Sequence, residues 1–301
     1  MGKPNFFIAG APKCATTALH TYLSSHPNIF MPSVKEPHYF AEDLFDYRFI
    51  KTLEQYLELF QEATEDHKAI GEASVWYLYS TEAIKNIYKF NENAKIIVML
   101  RNPVDLAYSL HSELLYAFYE EEREFKRAWN LQSSRKKGLH IPKLCPVPAF
   151  LQYFSVCQLG NQVERLLNIF PPTQVKIVLY DDFTTSTKAV YEDVLRFLGV
   201  PLDGRLNFPR INESKSHQVS LIGKFTQCPP LPLLKIAIKF KETLGLEKIG
   251  IIDKIRQSNT RVRSRKLLNV DFRAELINEF QEDIQKLSWL VDKDLNHWMI
   301  K

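Results

Sequence analysis

The residues best suited to chemistry stand near the start of the chain. Gly10-Ala11-Pro12-Lys13-Cys14-Ala15-Thr16-Thr17 joins a short apolar run, Phe6 to Ala9, to a helix-forming stretch, Ala15 to Ser25. A helix N-terminus presents outward N–H groups and a partial positive charge, so this junction suits an anion. The spacing from Gly10 to Thr17 fits the phosphate loop G-x-x-x-x-G-K-[ST], but Thr16 occupies the lysine position and Lys13 stands inside the loop. The lysine that would reach the β/γ-phosphates of ATP is therefore missing. A lysine within the loop leans instead over a nearer, single 5′-phosphate and its leaving group. The plain alternative is a strand–helix turn with a solvent-facing Lys13 and capping threonines. A second anion site is written at Arg101-Asn102-Pro103-Val104-Asp105 and Ser109. Arg101 can fork onto a phosphate and Ser109 can donate its hydroxyl, unless Arg101 merely pairs with Asp105.

These residues need rigid elements to hold them. Phe6 to Ala9 and Lys95 to Leu100 are continuous apolar runs of buried-strand type, and Val175 to Tyr180 is a third. A weaker strand is expected at Lys68 to Ile70. Helices are expected after three of these: Ala15 to Ser25, stopped by His26-Pro27; Pro103 to about Tyr119, with Pro103 at the first turn; and Ser186 to Phe197, ending at Gly199. Strands alternating with helices predict an α/β, P-loop-like three-layer fold with a central parallel β-sheet flanked by helices. Ligands of such folds bind at the carboxyl edge of the sheet, where Lys13 and Arg101 would both lie. Asp271 to Trp298, with apolar residues at helical spacing, reads as one or two closing helices packed for stability. Residues 120–148 are charged and then proline-rich, and read as a lid or insertion. Residues 202–232 read as an irregular loop over the site. The whole of 1–301 is expected to form a single domain.

Several segments together resemble the sulfotransferases that use 3′-phosphoadenosine 5′-phosphosulfate (PAPS), in particular the bacterial and carbohydrate-type sulfotransferase domains. Pro12-Lys13-Cys14-Ala15-Thr16-Thr17 is similar to their 5′-phosphosulfate loop, PKSGTT, with Cys14 and Ala15 in place of Ser and Gly. Arg101 and Ser109 are similar to their 3′-phosphate motif. Lys35-Glu36-Pro37-His38-Tyr39-Phe40 resembles K-E-P-H-[FY]-F, whose glutamate is the general base, and Gly71-Glu72-Ala73-Ser74-Val75-Trp76-Tyr77-Leu78 resembles G-E-[KA]-[ST]-P-x-Y-L. Ala73 stands where many glycan-sulfating relatives have a lysine, and Val75 replaces the common proline. Arg210 to Gln218, with Lys215, Ser216 and His217, is similar to the loop that folds over the nucleotide.

The resemblance implies sulfuryl transfer, with PAPS as donor and 3′-phosphoadenosine 5′-phosphate (PAP) as product. Glu36 is expected to take the proton of the acceptor. His38 lies on the same side of an extended segment and would be a second base, an orienter of Glu36 or a sulfuryl contact; a packed histidine without chemistry is the alternative. Lys13 would stabilise charge on the bridging oxygen, while Cys14, Ala15, Thr16 and Thr17 would hold the 5′-phosphate, an electrostatic preorganisation that needs no metal. Lys215, Ser216 and His217 would close over the nucleotide, and Trp76 and Tyr77 would flank adenine or the acceptor unless they serve the core. The acceptor would be a small molecule, a carrier-bound chain or a glycan.

Composition narrows the field. A net charge of +4 is too mild to imply nucleic acid. Four cysteines without a C-x-x-C pair argue against a zinc site or a disulfide framework. No run reaches the roughly 18 apolar residues of a membrane helix, and the N-terminal apolar run is too short for a signal peptide; a cytoplasmic protein with no membrane partner is expected. Two other readings stand beside the sulfotransferase. A P-loop phosphotransferase would need magnesium-ATP, with Asp181-Asp182 as its only tempting metal site. A non-catalytic nucleotide-binding protein of the same shape would bind without transfer. The basic clusters Arg135-Lys136-Lys137 and Arg261 to Lys266 read as solvated faces.

Overall fold

The computed structural model describes residues 2–211, 215–217, 260–262 and 266–300, with 215–217 and 260–262 as backbone only. Five strands form one all-parallel sheet: β1 (Phe6–Gly10), β2 (Ile29–Phe30), β3 (Ala69–Ala73), β4 (Lys95–Leu100) and β5 (Val175–Leu179). Their order is β2-β3-β1-β4-β5. Every residue of β1 and β3 is buried, as expected of strands covered on both faces, which explains their unbroken apolar runs. The register pairs Phe7 with Glu72 on one side of β1 and with Ile96 on the other. The chain leaves β1 towards β2 and β3, whereas β4 and β5 lie on its other side, so the strand order reverses at β1. Open α/β sheets bind ligands at such a point, outside the carboxyl ends of the strands.

Helix α1 (Thr16–Ser24) follows β1. Two helices missed in the sequence, α2 (Leu53–Glu58) and α3 (Ala83–Phe90), lie between β2 and β4. Helix α4 (Pro103–Tyr116) starts where the sequence predicts: the Asn102 side chain accepts a hydrogen bond from the Val104 N–H, and Pro103 occupies the first turn. Strand β3 runs to Ala73, three residues beyond the expected strand, because Glu72 is held inside the sheet by hydroxyl groups described below.

Residues 120–148, expected as a lid or insertion, carry secondary structure of their own. They contain α5 (Phe125–Asn130) and α6 (Gln132–Lys136). Phe125 and Trp129 are buried, with edge-on ring contacts to Phe272 and Phe280. Arg135 is not on a solvated face: its guanidinium forks onto Glu120 at 2.6 and 2.7 Å, both side chains are almost wholly buried, and Tyr153 donates to the same carboxylate at 2.7 Å. Two members of the charge run, Glu120 and Arg135, thus form an internal ion pair, while Lys136 and Lys137 are exposed as expected.

Helices α7 (Tyr153–Cys157), α8 (Leu159–Leu167), α9 (Tyr180–Thr185) and α10 (Thr187–Leu198) complete the layers around β5. The closing stretch is one helix, α11 (Val270–Val291), followed by a short 3₁₀ turn, Asn296–Met299. Asp283 of α11 accepts the N–H groups of Gly160 and Asn161 at 2.8 and 3.0 Å, so it caps α8 as well as packing on it.

Residues 202–211 are irregular, as expected, but residues 215–217 form a strand, β6 (Lys215–His217), paired antiparallel with β7 (Thr260–Val262). Their backbone lies beside α4. The remainder of the expected covering loop, 212–214 and 218–232, and residues 263–265 of the basic cluster are outside the described residues.

Candidate active site

The loop after β1 is shaped by close backbone packing. A Cβ on Gly10 would meet the Val75 carbonyl oxygen at 2.7 Å and the Leu78 side chain at 3.1 Å, and Gly10 has a φ of +149°. Only glycine fits there. The Ala11 N–H donates to the Met99 carbonyl at 2.8 Å, tying the loop to β4. Lys13 and Ala15 both adopt left-handed backbone, with φ of 61° and 65°. Such conformations cost about 1–2 kcal/mol for a residue with a Cβ, and Ala15 stands where the resembling loop has glycine. The glycine-to-alanine replacement therefore keeps the left-handed backbone and bears that cost. Cys14 is fully buried, and burial pushes its thiol up to about 12, against the pull of Arg101 and Lys13. It is a packing residue with an inert thiol. Thr16 is buried and Thr17 half-buried at the start of α1.

The cations face this loop. Arg101, at the end of β4, rests over the Tyr180 ring at 4.4 Å and approaches the Lys13 carbonyl at 3.5 Å. Among the described residues it makes no ion pair, and Asp105 pairs with Arg273 of α11 at 2.7 Å instead. An unspent guanidinium beside a phosphate-type loop is what an anionic ligand requires. Lys13 makes an ion pair with Glu113 at 2.7 Å. Glu113 lies four residues after the buried Ser109 on α4, so both are on one helix face, and that face is turned towards the loop.

On the other side, Lys35 to Phe40 crosses the ends of β1 and β3. Lys35 and Glu36 form a close ion pair, and His38 Nε2 lies 3.4 Å from the second oxygen of Glu36. Burial raises the Glu36 carboxyl, but the His38 contact and the Lys35 ammonium outweigh it and hold the group down at about 2. Glu36 is therefore ionised at any physiological pH. His38 is buried against Tyr47 and Tyr77, and neither of its ring nitrogens has a hydrogen-bond partner among the described residues. An orphaned buried imidazole beside a carboxylate marks a place built for a ligand's polar atoms.

A cavity of about 610 Å³ brings Thr17 of the loop together with the Glu36 segment, while Lys13, Arg101 and Ser109 do not line it. Thr17, Lys35, Glu36 and His38 line it together with Tyr47 and Phe49, and Pro146 of the former lid segment closes one side. Trp76 and Tyr77 do not line it. Trp76 stacks on Phe150 at 3.9 Å, and Tyr77 is fully buried with its hydroxyl donated to Glu72 at 2.7 Å. Both act from behind the site. Asp181 and Asp182 are spent on the chain's end: Asp181 accepts from Trp298 Nε1 at 2.8 Å and Asp182 from Lys293 at 2.6 Å.

Sequence reasoning missed two acidic residues. Glu113 could have been found from its i+4 spacing to Ser109. Glu72 was visible only as part of a motif. It is completely buried and accepts three hydroxyls, Tyr56 at 3.1 Å, Tyr77 at 2.7 Å and Ser74 at 2.8 Å. Burial pushes it up to about 7, and those hydroxyls pull it part of the way back.

The reversal of strand order at the close-packed loop after β1, with Lys13 and Arg101 on one side and a carboxylate–imidazole pair on the other, is the arrangement of an α/β group transferase with a phosphorylated donor. Comparison with known proteins gives the particular family: residues 3–222 match the sulfotransferase domain, and the chain belongs to that family, an enzyme class that uses PAPS. It is 31% identical over 211 residues to the human bifunctional heparan sulfate N-deacetylase/N-sulfotransferase 3, covering 65% of this chain and 22% of that protein. It is 31% identical over 270 residues to human carbohydrate sulfotransferase 15, covering 74% of this chain and 45% of that one. The chain thus spans less than half the length of these relatives. The crystal structure of a sulfotransferase from Alicyclobacillus acidocaldarius superposes over the full length of both chains with a TM-score of 0.73 and 28% identity. No helix among the described residues is long and apolar enough to cross a membrane.

Proposed function

We propose that this chain transfers the sulfuryl group of PAPS to a hydroxyl or amine of an acceptor that enters the cavity beside Glu36. The observation that carries this reading is the cavity itself, which brings Thr17 of the anion loop together with Glu36 and His38. The residues fit the donor. A close-packed glycine loop, Lys13, Thr16 and Thr17 would hold a 5′-phosphate, and Arg101, without an ion pair among the described residues, would hold a 3′-phosphate with Ser109. When bound, PAPS supplies a sulfuryl group on a phosphate leaving group.

The chain's own groups divide the remaining work. Glu36 is ionised and faces the cavity, so it can accept the proton of an acceptor hydroxyl or amine. Lys35 pairs with one of its oxygens, and His38 Nε2 lies 3.4 Å from the other. Lys13 and the loop N–H groups set a positive field where negative charge develops, and such preorganisation is usually the largest catalytic contribution. Lys215, Ser216 and His217 lie on the strand beside α4 and would cover the nucleotide from that side. Small-molecule, carrier-bound and glycan acceptors are all compatible with an open cavity of this size.

The test is transfer from radiolabelled PAPS to a panel of amino sugars, phenols and alkyl alcohols. Labelled product with at least one acceptor is expected, and Glu36→Gln should lower turnover about a hundredfold or more. Tight PAP binding with no transfer to any acceptor would favour a non-catalytic nucleotide-binding protein.

A further inference from the structure

Glu36 and His38 both sit in left-handed backbone, with φ of 64° and 52°. Neither is a glycine, asparagine or aspartate, so this conformation must be imposed from outside. The restraint is on the page. The N–H groups of alternate residues 36, 38 and 40 are each held from behind: Glu36 N–H by the Ala73 carbonyl at 3.0 Å, His38 N–H by Ser74 Oγ at 3.0 Å, and Phe40 N–H by the Tyr77 hydroxyl oxygen at 3.4 Å. A hydroxyl can accept in this way only if its own proton points elsewhere. Both hydroxyl protons go to one group, since Ser74 donates to one oxygen of Glu72 and Tyr77 to the other. An ionised carboxylate only accepts, so it fixes the direction of both hydroxyls and leaves their lone pairs for the loop.

We infer that Glu72 is the positioning residue of the catalytic loop: by taking the hydroxyl protons of Ser74 and Tyr77 it makes their oxygens the acceptors that hold His38 and Phe40, and so turns Glu36 and His38 towards the cavity. Glu72 does not touch the cavity. It is completely buried on β3, next to β1 at the level of Phe7, and it acts through two hydroxyls on a loop more than thirty residues away in sequence. Tyr56 donates to the same carboxylate and touches the loop through its ring alone, stacked on Tyr39 at 4.7 Å and edge-on to Phe40 at 5.1 Å. This inference rests on the reading of Glu36 and His38 as the reacting pair.

Glu72→Gln is the direct test, because it keeps the shape but puts an N–H₂ donor where one hydroxyl proton now points. Ser74→Ala is the second variant, since it removes the His38 acceptor and leaves the Glu72 carboxylate in place. The readouts are amide hydrogen exchange, PAP affinity and steady-state kinetics, all at pH 8. In both variants the amides of residues 36–40 should exchange about tenfold faster or more, reflecting the loss of a buried hydrogen bond, while those of β4 keep their protection. The kcat should fall about tenfold or more, with PAP affinity within about twofold of wild type. Unchanged exchange at residues 36–40 would overturn the inference. Faster exchange with unaltered kcat would also overturn it, leaving Glu72 as a brace for the core. If the wild-type protein transfers no sulfuryl group at all, the proposed activity fails on its own, and the exchange comparison still decides whether Glu72 sets the loop.

Discussion

On the proposed function, Lys13 leaves Glu113 to serve a bound nucleotide, and that step can be weighed. Their ion pair is 2.7 Å long, with side chains 31% and 47% exposed. A pair so open to water is worth about 0.2–1 kcal/mol. Glu113→Gln removes the competing charge and frees Lys13 in the empty protein. The affinity for PAP should then rise by about 1.5- to 5-fold, which is that energy at about 1.4 kcal/mol per decade. The gain should be largest at low ionic strength and shrink towards nothing near 1 M salt, where the screening length falls to about 3 Å. Isothermal titration with PAP at two salt concentrations measures both effects. If the variant binds PAP fivefold more weakly, Glu113 is not a competitor but holds Lys13 in its working position, and the reasoning is refuted.

Two further outcomes follow from the geometry. Ala15→Gly should stabilise the protein by about 0.5–1 kcal/mol, the left-handed strain relieved less the extra chain entropy of glycine; a rise in thermal midpoint of one or two degrees with PAP binding retained would show it, and a fall would contradict it. Burial raises Glu72 to about 7, above the ordinary carboxyl range, so the stability it contributes is fully present below about pH 4.3 and is lost as pH rises through 7; denaturant titrations at pH 5, 6, 7 and 8 should show the wild type losing stability relative to Glu72→Gln across that window, and parallel curves would contradict the assignment.

Much of this was legible in the sequence because backbone geometry at a strand–helix junction is locally encoded. Lys95–Leu100 as a strand, and Asn102-Pro103 as a helix start, need only apolar continuity and capping chemistry. The strand–loop–helix junction was readable because Gly10 ends an apolar run and a helix-forming stretch follows it. What escaped depends on contacts distant in sequence. Glu120 and Arg135 read as surface charge because nothing local shows that they neutralise each other inside the core. Tyr77 read as a ligand contact because an aromatic beside a motif does not reveal which way its hydroxyl points. Glu72 alternates into the sheet interior, a position normally closed to carboxylates, and only the three hydroxyls from elsewhere in the fold make it tenable. The left-handed backbone at Glu36 and His38 was invisible for the same reason, whereas that at Ala15 could be suspected because alanine stands where the resembling loop has glycine.

The most direct test of the central claim is calorimetric titration of the purified protein with PAP, without magnesium, against ATP with and without magnesium. PAP should bind with micromolar or better affinity and ATP far more weakly, with PAP binding lost in Arg101→Ala. Preference for magnesium-ATP, or PAP binding indifferent to Arg101, would contradict the assignment of this site to PAPS and return the chain to the phosphotransferase reading.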